Sequence, residues 1–547
     1  MTTKRAAPRP RWLLPTFAGY RREWLAPDVI GGISAGAVVV PQAMAYATIA
    51  NLPVQVGLYT CIVPMLVYAL LGGSRAMSVS TTSTIATLTA TTLVSAGVAA
   101  SAESAADALG SLMMLTLLVG GILLLARLFK LGSLVENISG ATLLGMKIGV
   151  GATVAVGQLP KLLGETYNFS GHGFIRSLAA VGEAFGSVNW PTVALSAGSI
   201  ATLLVLKRFA PRMPATLIVV AAGILLVAFA GLEQAGVDLI DPVPSGLPVP
   251  GLPDLAHLTA LVPGALAIAV MAFLESAAVA RGIRQTSEPQ IDSNQELFAT
   301  GAANVAGAFF TTMPAAGGFS QSAVNQSAGA RTQLSTLVTV ALAVLVSLFL
   351  GPVLSLLPEA TLAAMVFVAV IGLIDIPELV RWRRISPRDF WVAVAVALIG
   401  LVAGLLAAVA VGVVVTLVMV LRELNIPKVV IEDARGEAMA VHVIRAMYTA
   451  NALENEQAIL ELVADRDAAA VVLDLERQYL VTITVLDMFE DLDRELAQRG
   501  VTLHIAALPD TAETVARRTP WYQGLEAAGR VHATVEEGLA AASVSRP

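Results

Sequence analysis

The sequence predicts an all-α membrane domain of 14 transmembrane segments in a 7+7 inverted repeat, followed by a small α/β domain. Three observations predict it. The chain is 56% hydrophobic and only 14% charged; its Lys and Arg fall on alternating sides of successive apolar runs; and two polar, Gly- or Thr-rich stretches occupy matching places in the two halves.

A soluble globular chain carries about 25% charged residues. At 14%, with mean hydropathy +0.75 over 547 residues, this chain is expected to have the lipid bilayer as its solvent. A formal net charge of −6 argues against a nucleic-acid partner. The single cysteine, Cys61, precludes an intrachain disulfide. The first 25 residues are basic and Pro-rich rather than apolar, so no cleavable signal peptide is expected. Arg outnumbers Lys 28 to 6 and Ala is abundant, a composition that suggests a GC-rich bacterial genome and hence a bacterial inner (plasma) membrane.

A spanning helix needs roughly 17–25 apolar residues. The candidate spans are 29–50, 56–71, 78–98, 109–129, 138–158, 190–206, 214–231, 261–280, 296–311, 319–330, 333–350, 358–374, 389–403 and 405–421. The last two share one apolar run and are expected to form a hairpin of shortened helices. With the N-terminus in the cytoplasm, 20 Lys and Arg fall inside, from Lys4 and Arg5 through Arg75, Arg127, Lys130, Lys207, Arg212, Arg331 and Arg384 to Arg422. Only Lys161 and Arg176 fall outside, and the outside loop 232–258 is acidic. Residues 1–27 then form a cytoplasmic N-terminal segment and 28–423 the transmembrane domain, with repeats at about 28–232 and 260–422. Residues 424–547, charged and with strand-like runs at 471–475 and 501–508 between helix-like stretches at 451–464 and 485–498, form a cytoplasmic βαβ-type domain.

The repeat is read from two pairs of positions. Pro41 and Glu275 are expected to interrupt the first span of each half, 234 residues apart; Thr81 and Gln321 lie in the third span of each half, 240 apart. Seven is odd, so the second half is inverted. Residues 74–95 and 310–331 are too polar to cross lipid as ordinary helices, and non-helical backbone survives at that depth only inside protein or beside water. Six extended residues after Arg75 climb about 20 Å, to the middle of a core about 30 Å thick. A helix beginning near Ser80–Thr82 then runs outward. In the tenth span, 311–318 descends from outside and a helix begins near Ser320. Two helix N-termini would face each other at mid-membrane, an anion site made without a fixed cation. Ser80, Thr81, Thr82, Ser320, Gln321 and Ser322 would add hydroxyl and amide partners. The competing explanation is tight packing of small residues.

Gln42 and Tyr46, four residues apart on one helix face, are expected to line the cavity between the first, third and tenth spans; an interhelical hydrogen bond and ordinary packing are the alternatives. Two ionisable residues lie well inside apolar spans. Glu275 is a candidate to carry a proton or coordinate Na⁺. Lys147 either serves the site or snorkels to the inner surface. His172 and His257 fall in outside loops, which disfavours a His relay. No metal cluster, nucleotide loop or nucleophile–base motif is seen, so neither an enzyme nor a resident cofactor is expected beyond the coupling ion.

The stretches DVIGGISAG (28–36), VPQAMAYATIANLPVQVGLYT (40–60), GSRAMSVS (73–80), IDSNQEL (291–297) and GGFSQSAVNQSAGARTQ (317–333) resemble the signature of the sulfate permease (SulP), or solute carrier 26, family, and the C-terminal domain is similar to a STAS domain. The resemblance implies core and gate domains, a homodimer, and elevator-like alternating access. It implies that Gln42, Tyr46, the start of the third span and Ser320–Ser322 form the anion site, and that Glu275 is a coupling position. Two departures stand out. Gln321 replaces an Arg that many members carry, and Ser80-Thr81 replaces the usual Gly-Pro. In the STAS-like domain, Thr482-Ile483-Thr484-Val485 stands where signalling relatives carry an Asp-x-Ser-Gly phosphorylation motif. The leading expectation is a secondary-active symporter of a small anion such as sulfate, bicarbonate or a dicarboxylate, with a nucleobase permease or a channel or STAS-linked signalling protein as alternatives.

Overall fold

The computed structural model describes residues 13–98, 105–132, 140–165, 174–210, 213–286, 288–372, 374–403, 405–466 and 468–544. Lys4, Arg5, His172 and Arg212 lie outside the described residues. The chain divides into two compact units, Met1–Thr416 and Leu417–Pro547.

The first unit is helical. In chain order it holds α1 (Leu25–Ile49), α2 (Val54–Thr60), α3 (Val63–Leu71), the short strand β1 (Val79–Ser80), α4 (Ser83–Ser95), α5 (Ala105–Leu128), α6 (Gly140–Leu163), α7 (Phe174–Ala184), α8 (Trp190–Phe209) and α9 (Ala215–Ala230). There follow α10 (Leu258–Gly282), α11 (Ser293–Ala308), strand β2 (Ala316–Gly317), α12 (Phe319–Ser327), α13 (Leu334–Phe349), α14 (Gly351–Leu354), α15 (Glu359–Ile371), α16 (Ile376–Ile385), α17 (Pro387–Val402) and α18 (Leu405–Asn425), the last continuing into the second unit. Each apolar stretch read from sequence holds one of these helices, or two where 56–71 breaks around Cys61. Among the described residues seven helical stretches are long and apolar enough to cross a membrane; α9 and α13 are shorter apolar helices.

One sequence expectation is corrected. Pro41 and Glu275 do not interrupt their spans: α1 runs unbroken through Pro41 and α10 through Glu275. A proline removes one backbone donor, and in a membrane helix the freed carbonyl is readily satisfied by neighbours. The breaks lie instead where β1 and β2 interrupt the third and tenth stretches.

The helices fall into two groups. In one, α1 packs on α2, α12 and α13, α11 on α3 and α5, and α10 on α4, α5 and β2. In the other, α6 packs on α7, α15 and α17, and α15 on α8. Contacts of α1 with α9 and α15, and of α4 with α6, join the groups. Small residues set the closest approaches, as expected where lipid supplies no hydrophobic drive between helices. A Cβ on Gly32 would lie 2.2 Å from the Ser335 carbonyl oxygen of α13, and one on Gly57 would lie 2.0 Å from the Ala43 carbonyl oxygen of α1. Trp190, Phe209 and Phe229 are exposed, an apolar surface suited to lipid.

The second unit is a five-stranded sheet, β3 (Val429–Arg435), β4 (Ala438–Val443), β5 (Ala470–Asp474), β6 (Thr502–Ala506) and β7 (Val531–His532), in that spatial order. β3 and β4 pair antiparallel through Gly436 at φ +63°; the remaining pairs are parallel, as crossovers through α19 (Ala452–Ala464), α20 (Ile483–Gln498), α21 (Asp510–Ala516) and α22 (Pro520–Ala527) require. α20 buries Val485, Met488, Phe489, Leu492 and Leu496 at helical spacing on one face of the sheet. Helix α23 (Val535–Val544) covers an Ala-rich patch through Leu539 and Ala542. Thr484 is exposed in the first turn of α20.

Within this sheet His504 Nδ1 lies 3.0 Å from His532 Nε2, and His504 Nε2 is buried without a partner. Burial, with His532 and Arg530 close by, pushes His504 from 6.5 down to about 4. The unfolded chain therefore binds more protons between these values, and this unit loses stability as pH falls from 6.5 toward 4. Hydrogen exchange at the β6 amides, corrected for intrinsic rate, is expected to speed up from pH 7 to pH 5 in the wild type. A His504→Gln variant should show a flatter dependence; an equal acceleration in that variant refutes the assignment.

Candidate functional site

The two broken stretches meet. β1 and β2 pair antiparallel, Val79 opposite Gly317 and Ser80 opposite Ala316. Their flanking backbone is non-helical, so its polar groups need partners from elsewhere, and side chains supply them. Thr116 Oγ1 donates to the Thr312 carbonyl (2.9 Å), Met313 N–H donates to Thr60 Oγ1 (3.0 Å), and Gly317 N–H donates to Ser276 Oγ (2.9 Å). Asn304 accepts from Ala315 N–H (2.8 Å) and donates to the Ala315 carbonyl (2.9 Å). On the other side, Gln333 Nε2 donates to the Ser74 and Met77 carbonyls (2.7 and 2.8 Å), and Asn325 Nδ2 to the Ala76 carbonyl (2.9 Å).

From this junction α4 and α12 start. α4 begins at Ser83, with Thr82 as N-cap accepting from Ile85 N–H; α12 begins at Phe319 after Gly318. Both starts lie within a few residues of the sequence expectation. In α12 the first intrahelical bond runs from Ser322 N–H to the Gly318 carbonyl, so the amides before it have no intrahelical acceptor. Both helix starts line one cavity of about 660 Å³, whose wall reaches Lys207, Met213 and Gly372.

Of the residues singled out from sequence, Gln42, Tyr46, Thr81, Thr82, Glu275, Ser320 and Gln321 line this cavity. Ser80 and Ser322 do not, which corrects two expectations. Ser80 is fully buried, its Oγ 3.6 Å from Cys61 Sγ, and Ser322 Oγ accepts from Ser78 N–H at 3.0 Å. Both point into the junction because β1 and the first turn of α12 each turn one face to the protein interior. Among the described residues Gln42 has no hydrogen-bond partner, so the interhelical-bond alternative is not met.

Two wall residues present buried polar atoms with no partner, Thr81 Oγ1 and Gln321 Nε2; Thr216 Oγ1, across the cavity on α9, is a third. Thr82 Oγ1, besides capping α4, donates to Glu275 Oε2 at 2.8 Å, and Thr84 lines the wall beside them. Lys147 also lines the cavity.

Sequence reasoning missed Thr84, Lys207 and Thr216 in the wall, since nothing in their local pattern separates them from other small or terminal residues. It also missed two buried carboxylates near span ends. Asp28 accepts from the amides of Arg331 (2.6 Å) and Thr332 (3.0 Å) and from Thr332 Oγ1 (2.6 Å). Glu296 accepts from Tyr68 Oη (2.7 Å) and Gly73 N–H (3.1 Å). Each is paired entirely by neutral donors, which charge patterning does not reveal. Lys161, placed in an outside loop from sequence, is in the last turn of α6 and pairs with Glu359 at 3.1 Å. In the second unit, ligand atoms of Glu432, His442 and Asp474 lie within 4.8 Å of one another on three adjacent strands. No short motif links these three residues, so their proximity is not legible in the sequence.

Two helix starts lining one cavity inside a polytopic unit, followed by a separate mixed-sheet unit, give the architecture of a multi-pass membrane transporter. Residues 25–396 match the sulfate permease family and residues 427–538 the STAS domain, so the chain belongs to the sulfate permease family. It is 33% identical over 513 residues to a probable sulfate transporter of Mycobacterium tuberculosis (strain CDC 1551 / Oshkosh), covering 90% of each chain. It is 32% identical over 432 residues to the chloroplastic sulfate transporter 4.1 of Arabidopsis thaliana, covering 77% of this chain and 62% of that one. Its fold is similar to that of the murine solute carrier 26 family member A9 anion transporter in the inward-facing state, with TM-score 0.86 at 20% identity, covering 99% of this chain and 97% of that one. The transmembrane domain of a cyanobacterium bicarbonate transporter, BicA, aligns with TM-score 0.63 at 21% identity over 71% of this chain and 98% of that one.

Proposed function

We propose that this chain is a secondary-active transporter of a small anion, sulfate, bicarbonate or a dicarboxylate, coupled to a proton or Na⁺ through Glu275. The carrying observation is the pair of helix N-termini at one cavity, with Thr81 Oγ1 and Gln321 Nε2 buried and unpartnered beside them. Each N-terminus presents about half a positive charge and unpaired amides. Gln321 offers donors only through its amide, so the anion is held by dipoles rather than by a cation on α12.

The same reading makes the membrane unit a fourteen-span 7+7 inverted repeat, with the two helix groups as core and gate. The protein is a homodimer in a bacterial inner membrane, both termini cytoplasmic. The cavity wall reaches Lys207 and Met213, beside a loop that the Lys/Arg distribution assigns to the cytoplasm, which supports an inward-open conformation. Elevator-like sliding of one group against the other then exposes the site outward. A nucleobase permease is disfavoured by the family match and by the absence of any carboxylate in α12.

Uptake into proteoliposomes tests this. Labelled sulfate, bicarbonate and succinate are offered with imposed pH and Na⁺ gradients. Saturable uptake of at least one, accelerated by an inward gradient of the coupling ion, is the expected result. Transport of neutral solutes alone would refute the anion site.

A further inference from the structure

We propose that Lys147 is the cation of the anion site, contributed by the second helix group, and that with Glu275 protonated the site accepts a dianion. This rests on the anion-transport reading above and names the charge class of its substrate.

Lys147 lies two turns into α6, in the group built on α15 and α17, whereas Glu275 and the α4 and α12 N-termini belong to the other group. The charged residues of the wall are Lys147, Lys207 and Glu275: cations on one group, the carboxylate on the other. Lys207 sits at the end of α8, where it guides anions into the mouth. Lys147 lies deeper. Among the described residues it has no ion pair or hydrogen bond, whereas Lys161 on the same helix is neutralised by Glu359. An ammonium kept inside a membrane helix with no direct ion pair is costly and points to a ligand or pathway. It also lies within electrostatic reach of Glu275.

Charge bookkeeping then sets the ligand class. Two helix N-termini supply about one positive charge between them. Ionised Glu275 cancels it, and Lys147 returns the site to about +1, enough for a monoanion. Protonating Glu275 raises this to about +2, which matches sulfate or a dicarboxylate. A proton on Glu275 therefore accompanies a dianion as a condition of binding. Because Lys147 stays with its own helix group, sliding the core withdraws this cation and lowers affinity.

The test uses the full chain in proteoliposomes and, separately, in detergent, with sulfate, succinate and bicarbonate as probes. Lys147→Gln is expected to raise KM for a transported dianion at least about tenfold, Vmax changing little, while Lys147→Arg stays near wild type. Lys147→Met, which keeps the aliphatic stem, stands in if the Gln variant is not monodisperse. The thermal shift of the solubilised protein with the same probes should saturate at correspondingly higher concentration. The proposal is overturned if wild-type uptake saturates but KM is unchanged in Lys147→Gln and Lys147→Met, if Lys147→Arg is equally impaired, or if bicarbonate is the sole probe carried. If the wild type carries no anion at all, the anion-transport reading itself falls, an outcome separate from an unchanged KM.

Discussion

Glu275→Gln is expected to abolish the dependence of uptake on the coupling-ion gradient and to reduce gradient-driven uptake by roughly tenfold or more. The carboxylate is tied to one helix start of the site: it projects from α10 and accepts from Thr82 Oγ1 at 2.8 Å, the N-cap of α4. Whatever occupies Glu275, a proton or a sodium ion, therefore acts directly on one of the helix ends that face the anion. The glutamine keeps the shape and can still accept from Thr82, so the fold and the cavity should persist. It cannot ionise, so it cannot exchange a proton or neutralise Na⁺. Uptake at a series of external pH values, with and without Na⁺, should give a flat profile in the variant, while equilibrium exchange of labelled anion survives. A variant retaining the wild-type pH and Na⁺ response would move coupling away from Glu275.

Much of this geometry is legible in the sequence because it follows from period and polarity. Apolar runs of spanning length marked the helices, and Arg75 and Arg331 fixed how far the extended segments must travel. That distance placed the starts of α4 and α12 to within a few residues of Ser83 and Phe319. In the second unit, the strand-like runs around 471–475 and 501–508 became β5 and β6. What failed was local side-chain direction. Ser80 and Ser322 are as polar as Thr81 and Gln321, yet they face the junction rather than the cavity. A one-residue change of facing on a two-residue strand is set by its partner strand, which lies more than 230 residues away in sequence. Pro41 misled for a related reason: proline weakens an isolated helix, but α1 is held by helices packed around it. Asn304 gave no signal at all, because its partner is backbone.

Asn304→Ala is expected to cost about 2–5 kcal/mol of stability and to abolish anion binding with it. Asn304 is fully buried on α11 and holds Ala315 from both sides, accepting from its N–H and donating to its carbonyl. Removing it leaves a donor and an acceptor without partners at membrane depth, where no lipid group replaces them. The strain falls on β2, and Gly317 and Gly318 lead directly into the first turn of α12. Ser276→Ala removes a single bond, to Gly317 N–H, and should cost about 1–2 kcal/mol, with a smaller loss of affinity. Thermal unfolding of the solubilised chain should rank wild type above Ser276→Ala and Ser276→Ala above Asn304→Ala, and affinity should follow the same order. If Asn304→Ala unfolds with the wild type, or binds the anion as tightly, then the non-helical segment does not depend on α11 and the placement of the α12 N-terminus has another source. The ordering matters more than either value. A site made of helix ends has no rigid group of its own, so its affinity is set by how firmly the neighbouring side chains hold the backbone that precedes each helix.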